Sequence, residues 1–279
     1  MHPRQLPKLR DETTAHYEQY PSKTMSPMLH GSKLFWASEQ QVRQTCKMAD
    51  YLDDHTGMLD YAPTPQGFMW FDHADAALLG FAIHGMNVPL RVFSWDSLQD
   101  PSGKLTVVAW SMTEEGPPPA PGRNVGPLQP VLYGRFGSET EDNDVRLLLR
   151  GQSRAVEPEL LYPAFAMWYR MTLPRFAAVS LSPPTASQAK KATNKGRPSD
   201  WAEVTLVDAV SRPKPSQGSS DSEGTGRKLE YRQEVEGFWR MQHYGPKSSL
   251  RKKIWVDDYE RGPEDAPKRP KRESVKTFK

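Results

Sequence analysis

The chain has 279 residues, 37% of them hydrophobic and 25% charged, with a formal net charge of +3. That length suits one large domain or two small ones, and the hydrophobic share allows a core but a lean one, so ordered modules joined by loose segments are expected. A single cysteine, Cys46, excludes an internal disulfide, and no Cys/His cluster has zinc-ligand spacing, which points to a reducing cytoplasm and to no bound metal.

The charge is uneven along the chain. Residues 227–279 hold fifteen Lys or Arg against nine Asp or Glu, an excess of six cations that leaves residues 1–226 three charges negative. A basic end on a mildly acidic body suits a polyanion such as RNA, a ribonucleoprotein, or an acidic protein partner; a plain solvated terminus is the alternative. Residues 1–10 lack the apolar stretch of a secretory signal. The longest apolar run, 160–173, is interrupted by Pro163 and Arg170 and is too short to cross a bilayer, so a soluble protein without membrane contact is expected.

Residues 1–33, rich in Pro, Ser, Lys and His without a period, read as a disordered arm. An α+β body is expected over 34–175. Ser38 and Gln41 have capping-box spacing, and Val42, Cys46, Ala49 and Leu52 then recur at helical spacing, which predicts a helix running to about Asp54 and stopped by Gly57. Cys46 on that stripe is a small core residue rather than a nucleophile. Residues 67–71 read as a strand, 75–83 as a helix, and 90–95 with 104–111 as two strands about a turn at 99–103. Phe68, Trp70, Phe81, Phe93, Trp95 and Trp110 are expected to pack the core. Asp72, His73 and Asp75 resemble metal ligands but fit a strand end and helix cap better.

The Pro/Gly-rich stretch 115–130 reads as a loop and 131–136 as a strand, followed by solvated carboxylates at Glu139, Glu141, Asp142 and Asp144. A second helix is predicted over 157–173, with Pro163 requiring either a kink or a later start. Residues 176–200 read as a linker, and 201–267 as a β-rich C-terminal module interrupted by a mobile loop at 211–228. The strand at 204–207 is expected to pair with the C-terminal part of that module, where the period-two segment 229–240 and a strand at 252–256 form a small sheet. Residues 268–279 form a basic tail. The expected architecture is thus a mixed body carrying a small basic antiparallel β-module on long linkers.

The module concentrates aromatics and cations: Phe238, Trp239, Arg240, Gln242 and Tyr244 in one segment, Arg251, Lys252, Lys253 and Trp255 in the next, and Arg261 in the turn beyond. Such a set can stack on bases or peptide side chains and neutralise phosphates or acids. Alternatively, Trp239 and Trp255 form a cross-strand pair that stabilises a tiny sheet, with the cations guarding its edge. His243, Tyr244 and Lys253 are the candidates for an RNA-cleaving acid–base site. No glycine-rich phosphate loop, nucleophile elbow or paired-carboxylate nuclease signature accompanies them, so a non-enzymatic role without a cofactor is preferred.

The pattern Gly237-Phe238-Trp239-Arg240-x-Gln242-x-Tyr244-Gly245-Pro246, then Lys253-Ile254-Trp255-Val256, then Tyr259-x-Arg261-Gly262-Pro263, resembles the end of a broad family carried by phages, plasmids and bacterial chromosomes. The resemblance covers roughly residues 157–267. One branch of that family comprises anti-CRISPR proteins directed against the type V-A Cas effector nuclease, which recognise its emerging N-terminal peptide and promote loss of its messenger RNA. The resemblance therefore implies a mobile-element accessory protein of the bacterial cytoplasm that engages RNA, a ribonucleoprotein or a nascent polypeptide. This chain differs from that branch in having Trp255 alone, followed by Val256, Asp257 and Asp258, where a doubled tryptophan is usual.

Overall fold

The computed structural model describes residues 1–19, 25–52, 58–73, 78–83, 86–98, 100, 103–116, 126–137, 143–149, 152–210, 231–263 and 266–268. The chain divides into a body, residues 1–210, and a C-terminal unit, residues 211–279. The fold is α+β, as the mixture of helical and period-two segments predicts.

The body is organised by a nine-stranded sheet. In spatial order its strands are β10 (Ala177–Ser182), β11 (Val204–Ala209), β1 (Lys33–Ala37), β2 (Gln66–Phe71), β5 (Val92–Asp96), β6 (Leu105–Met112), β7 (Leu128–Phe136), β8 (Asp144–Leu149) and β9 (Gln152–Ala155). β11, β1 and β2 run parallel to one another, and every other neighbouring pair is antiparallel. Helix α3 (Glu39–Ala49) makes the crossover that parallel β1 and β2 require.

Alternation along the strands gives the sheet two apolar faces. On one, Leu34, Trp36, Phe68, Trp70, Val92, Val108, Trp110 and Val204 pack with Leu6 and Leu9 of α1 (Leu6–Glu18) and Met28 and Leu29 of α2 (Ser26–Leu29). On the other, aromatic rings link strands to helix α4 (Tyr162–Met171): Phe35 lies 5.4 Å from Trp95, Trp95 lies 5.1 Å from Trp168, and Phe136 meets Phe165 edge-on at 4.8 Å. A Cβ on Gly67 would fall 2.0 Å from the Trp95 ring, so only glycine lets that indole lie flat against β2. The aromatic assignments to the core hold for Phe68, Trp70, Phe93, Trp95 and Trp110, all buried; Phe81 is only half-buried.

Several expectations require correction. Residues 1–33 are not a disordered arm: 6–18 and 26–29 are helical, because Leu6, Leu9 and Thr13 bury one face of α1 against the sheet. Pro7 stands in the first turn of α1, where a missing N–H costs little. Nor are 176–200 a linker. They form β10 and then α5 (Ala186–Asn194), whose N-terminus is closed by a capping box in which Gln188 N–H donates to Thr185 Oγ1 at 3.2 Å and Thr185 N–H to Gln188 Oε1 at 2.9 Å. The box foreseen at Ser38 does not form, since Gln41 is turned into the core beside Met167. Residues 204–209 pair with β1 and β10 inside the body rather than with the C-terminal unit.

Residues 80–83 are strand β3 (Gly80–Ile83), paired with β4 (Met86–Pro89), not part of a helix, and Asp75 lies outside the described residues. The second helix starts late: residues 158–161 make a 3-10 turn, and Pro163 falls in the first turn of α4 without a kink. β7 begins at Leu128 rather than Val131. Gly57, Glu139, Glu141, Asp142, the loop at 211–228, and the tail beyond Lys268 lie outside the described residues.

A polar clasp fixes α1 to the segment before β11. Arg10, 1% exposed, and Arg197 both lie over the Trp201 indole, at 4.0 and 4.3 Å. Asp11 receives hydrogen bonds from Arg10, Arg197 and Trp201 Nε1. Burial draws the Arg10 guanidinium down to about 10, with Asp11 opposing the shift. Asp11→Ala leaves two guanidiniums facing each other and is expected to destabilise the body by about 2 kcal/mol, whereas Lys8→Ala, which breaks only the exposed Lys8–Glu12 pair, stays within about 0.5 kcal/mol; denaturant unfolding measures both.

Burial raises the Cys46 thiol to about 12 from its usual 9.0, which supports its reading as a core residue. The native protein should therefore resist iodoacetamide at pH 8 and react once unfolded. Because the folded value lies above the unfolded one, Cys46 contributes stability below pH 9 that is lost as pH rises toward 12, and a Cys46→Ala variant should lack that alkaline loss.

Candidate nucleic-acid interface

In the C-terminal unit β12 (Gln233–Val235) pairs with β15 (Tyr259–Arg261), and β13 (Phe238–Tyr244) pairs with β14 (Leu250–Val256), both antiparallel. The longer hairpin turns through Gly245 and a 3-10 segment at 246–248. Its register sets Phe238 opposite Val256, Trp239 opposite Trp255, Arg240 opposite Ile254, Met241 opposite Lys253, Gln242 opposite Lys252, His243 opposite Arg251 and Tyr244 opposite Leu250.

Since successive side chains leave a strand on opposite faces, this register splits the predicted residues into two groups. One face carries Trp239, Trp255, Lys253, His243 and Arg251. The other carries Phe238, Arg240, Gln242, Tyr244 and Lys252. Arg261 belongs to the other small sheet, opposite Gln233. The binding residues named from the sequence therefore form no single surface.

The tryptophan face is structural at its base. Trp255 is 1% exposed, meets Trp239 edge-on at 5.4 Å, and donates from Nε1 to Asp257 Oδ1 at 2.7 Å. A Cβ on Gly237 would come within 2.5 Å of Trp255 Cζ2, so the residue before β13 is glycine because the indole lies against it. Lys253 Nζ sits 5.2 Å from the centre of the Trp239 ring. These contacts give the pattern Gly237…Trp239…Trp255…Asp257 a packing role.

The opposite face is buried at Ile254, which stands opposite Arg240, and exposed at Phe238, Arg240, Tyr244 and Lys252. Phe238 and Tyr244 are 37% and 48% exposed, six residues apart on one strand and so about 20 Å apart. Between them Arg240, Gln242 and, from β14, Lys252 line the surface, with Arg240 donating to Gln242 Oε1 at 2.6 Å. Among the described residues Arg240, Arg251 and Lys252 form no ion pair. In the neighbouring sheet Glu260 pairs with both Arg232, at 3.4 Å, and Lys268, at 2.6 Å, and Lys268 holds the Glu260 carboxyl below its usual range; Arg261 pairs with no acid among the described residues. The hairpin strands carry Arg240, Arg251, Lys252 and Lys253 and no acidic residue.

The acid–base set named from the sequence is not assembled. His243 and Tyr244, adjacent on β13, leave on opposite faces, and His243 Nδ1 is 3.1 Å from the Ser248 carbonyl. Lys253 shares a face with His243 but stands opposite Met241 and leans toward Trp239.

A second feature, unforeseen as a unit, is a cleft of about 490 Å³ in the body where Trp70, Asp72, His73, Arg91 and Glu115 meet Glu39 and Glu114. Arg91 makes a bidentate pair with Glu115, 2.7 Å on each arm, and also donates to the His73 carbonyl; His73 Nε2 donates to the Leu90 carbonyl at 2.8 Å. These groups hold the ends of β2, β5 and β6 together. No cluster of three or more His, Cys, Asp or Glu among the described residues is placed to hold a metal.

Comparison with protein-family models, with curated proteins and with solved structures gives no match for this chain.

If Trp255 is the structural centre of the hairpin, Trp255→Ala should cost about 3–5 kcal/mol and collapse the β13–β14 pairing, while Trp239→Ala, which loses one edge-on ring contact and partial burial, should cost about 1–2 kcal/mol. Amide exchange of Arg240 and Ile254 reads the difference.

Proposed function

We propose that the protein is a non-enzymatic RNA-binding protein whose C-terminal hairpin holds single-stranded RNA, alone or within a ribonucleoprotein, on the Phe238–Arg240–Gln242–Tyr244 face. The observation that carries this reading is the coincidence, on one face around the buried Ile254, of two exposed aromatic rings with Arg240 and Lys252, neither neutralised by an acid among the described residues. Bases offer π-faces to Phe238 and Tyr244, and the intervening cations neutralise the phosphates that link them. Gln242 adds an amide that can hydrogen-bond a base edge.

The resemblance of residues 157–267 to the phage and plasmid family adds a setting: a mobile-element accessory protein in the cytoplasm of a bacterial host, acting on RNA or on a ribonucleoprotein engaged in synthesis of a Cas nuclease. No helix among the described residues is long and apolar enough to cross a membrane.

Fluorescence anisotropy with a labelled uridine-rich single strand tests the reading. With two phosphates neutralised, by Arg240 and Lys252, the affinity should fall about sevenfold between about 50 and 200 mM salt. Phe238→Ala and Tyr244→Ala should each weaken binding by about fivefold or more. Absence of binding, or binding indifferent to both substitutions, would falsify the assignment; salt-dependent capture of an acidic protein with no affinity for RNA would favour an adaptor instead.

A further inference from the structure

β10 ends the nine-stranded sheet, and the register identifies which of its backbone groups face outward. Ser38 N–H donates to the Val207 carbonyl, so Val207 directs its backbone groups toward β1. Its neighbours Leu206 and Asp208 consequently direct theirs toward β10, where they stand opposite Ser180 and Ala178. Val179 and Leu181 are left with N–H and C=O pointing away from the sheet. Ala177, of the same parity, agrees: its N–H donates to the Leu173 carbonyl and not across to Ala209.

Val179 and Leu181 also expose their side chains, by 48% and 62%, on one face of the strand. Open backbone groups and apolar side chains thus belong to the same two residues. The strand Ala177–Ser182 contains no charge and no proline, the usual means of blunting an edge, whereas β9 at the other end of the sheet carries Arg154.

We propose that β10 is a self-association edge: two copies of the chain pair their β10 strands antiparallel about a two-fold axis at Ser180, making one continuous sheet. The sequence fits its own copy. About Ser180, Val179 meets the partner's Leu181 and Leu181 meets the partner's Val179, so outward-facing groups meet outward-facing groups in four N–H···O=C bonds while the apolar side chains share one face. Ala178 meets the partner's Ser182. A strand without charge meets its copy without like-charge repulsion, and Pro183, lacking an N–H, ends the ladder.

Sedimentation analysis of the full chain from low to high micromolar concentration should show a dimer. Leu181→Lys and Val179→Pro should return it to monomer, and each leaves the fold intact because the side chain is exposed and the Val179 N–H serves no partner among the described residues. Ser180→Cys supplies an independent reading. A non-hydrogen-bonded antiparallel pair places its Cα atoms about 4.5 Å apart, within disulfide reach, so mild oxidation should link two chains through residue 180. Ala178→Cys, whose counterpart in the pair is Ser182, should not link, and the native Cys46 is buried. A monomer at every concentration overturns the proposal, whether or not a strand-forming peptide binds the edge. A dimer that survives Leu181→Lys and Val179→Pro, or equal cross-linking at 178 and 180, also overturns it.

Discussion

The body depends on the position of β1, held in parallel between β2 and β11. A parallel strand is buried on both faces, so β1 needs cover above and below. Leu34 and Trp36 receive it from α1 and α2, and Phe35 from the Trp95–Trp168 aromatic layer. The strand that completes the pairing, β11, comes from residues 204–209. The N-terminal segment and the stretch between α4 and β11 are therefore ordered because β1 cannot be buried without them. The Asp11 clasp, with Arg10, Arg197 and Trp201 around one carboxylate, joins the same two parts of the chain.

This dependence explains what was legible in the sequence. Elements with local signals were found: the Val42/Cys46/Ala49 stripe of α3, the strands on either side of residues 99–103, and the helix containing Trp168. Elements whose order comes from distant contacts were missed. α1 has a polar composition and reveals itself only through Leu6, Leu9 and a buried arginine that is satisfied from residue 201. β10 and α5 lie in a Ser/Ala/Pro/Lys-rich stretch that looks like a linker, although Thr185 and Gln188 carry a capping-box spacing that could have marked the helix. The pairing of 204–209 with β1 has no local signature; a lone β-prone run fits either unit equally well.

In the candidate site, alternation along 238–244 was visible, but its consequence depends on the cross-strand register fixed by the Gly245 turn. The register assigns Trp239 and Trp255 to packing and exposes Phe238 and Tyr244. It also separates His243 from Tyr244. A two-stranded sheet has little core of its own, and here it consists of the indole pair against Gly237 and Asp257 together with the buried Ile254. The remaining face carries Arg240 and Lys252 beside the buried Ile254, and Glu260 pairs with Arg232 and Lys268 rather than with either of those two cations. Under the proposed function, ligand contact falls to the exposed residues around the buried Ile254 on that face, while the tryptophan pair serves packing.

Ultraviolet cross-linking of the full chain to uridine-rich RNA, followed by peptide mapping, tests that division most directly. The account predicts adducts on Phe238 and Tyr244, with Trp255 protected by its burial. Adducts confined to residues 1–210, or centred on Trp239 and Trp255 with Phe238 and Tyr244 unmodified, would contradict it.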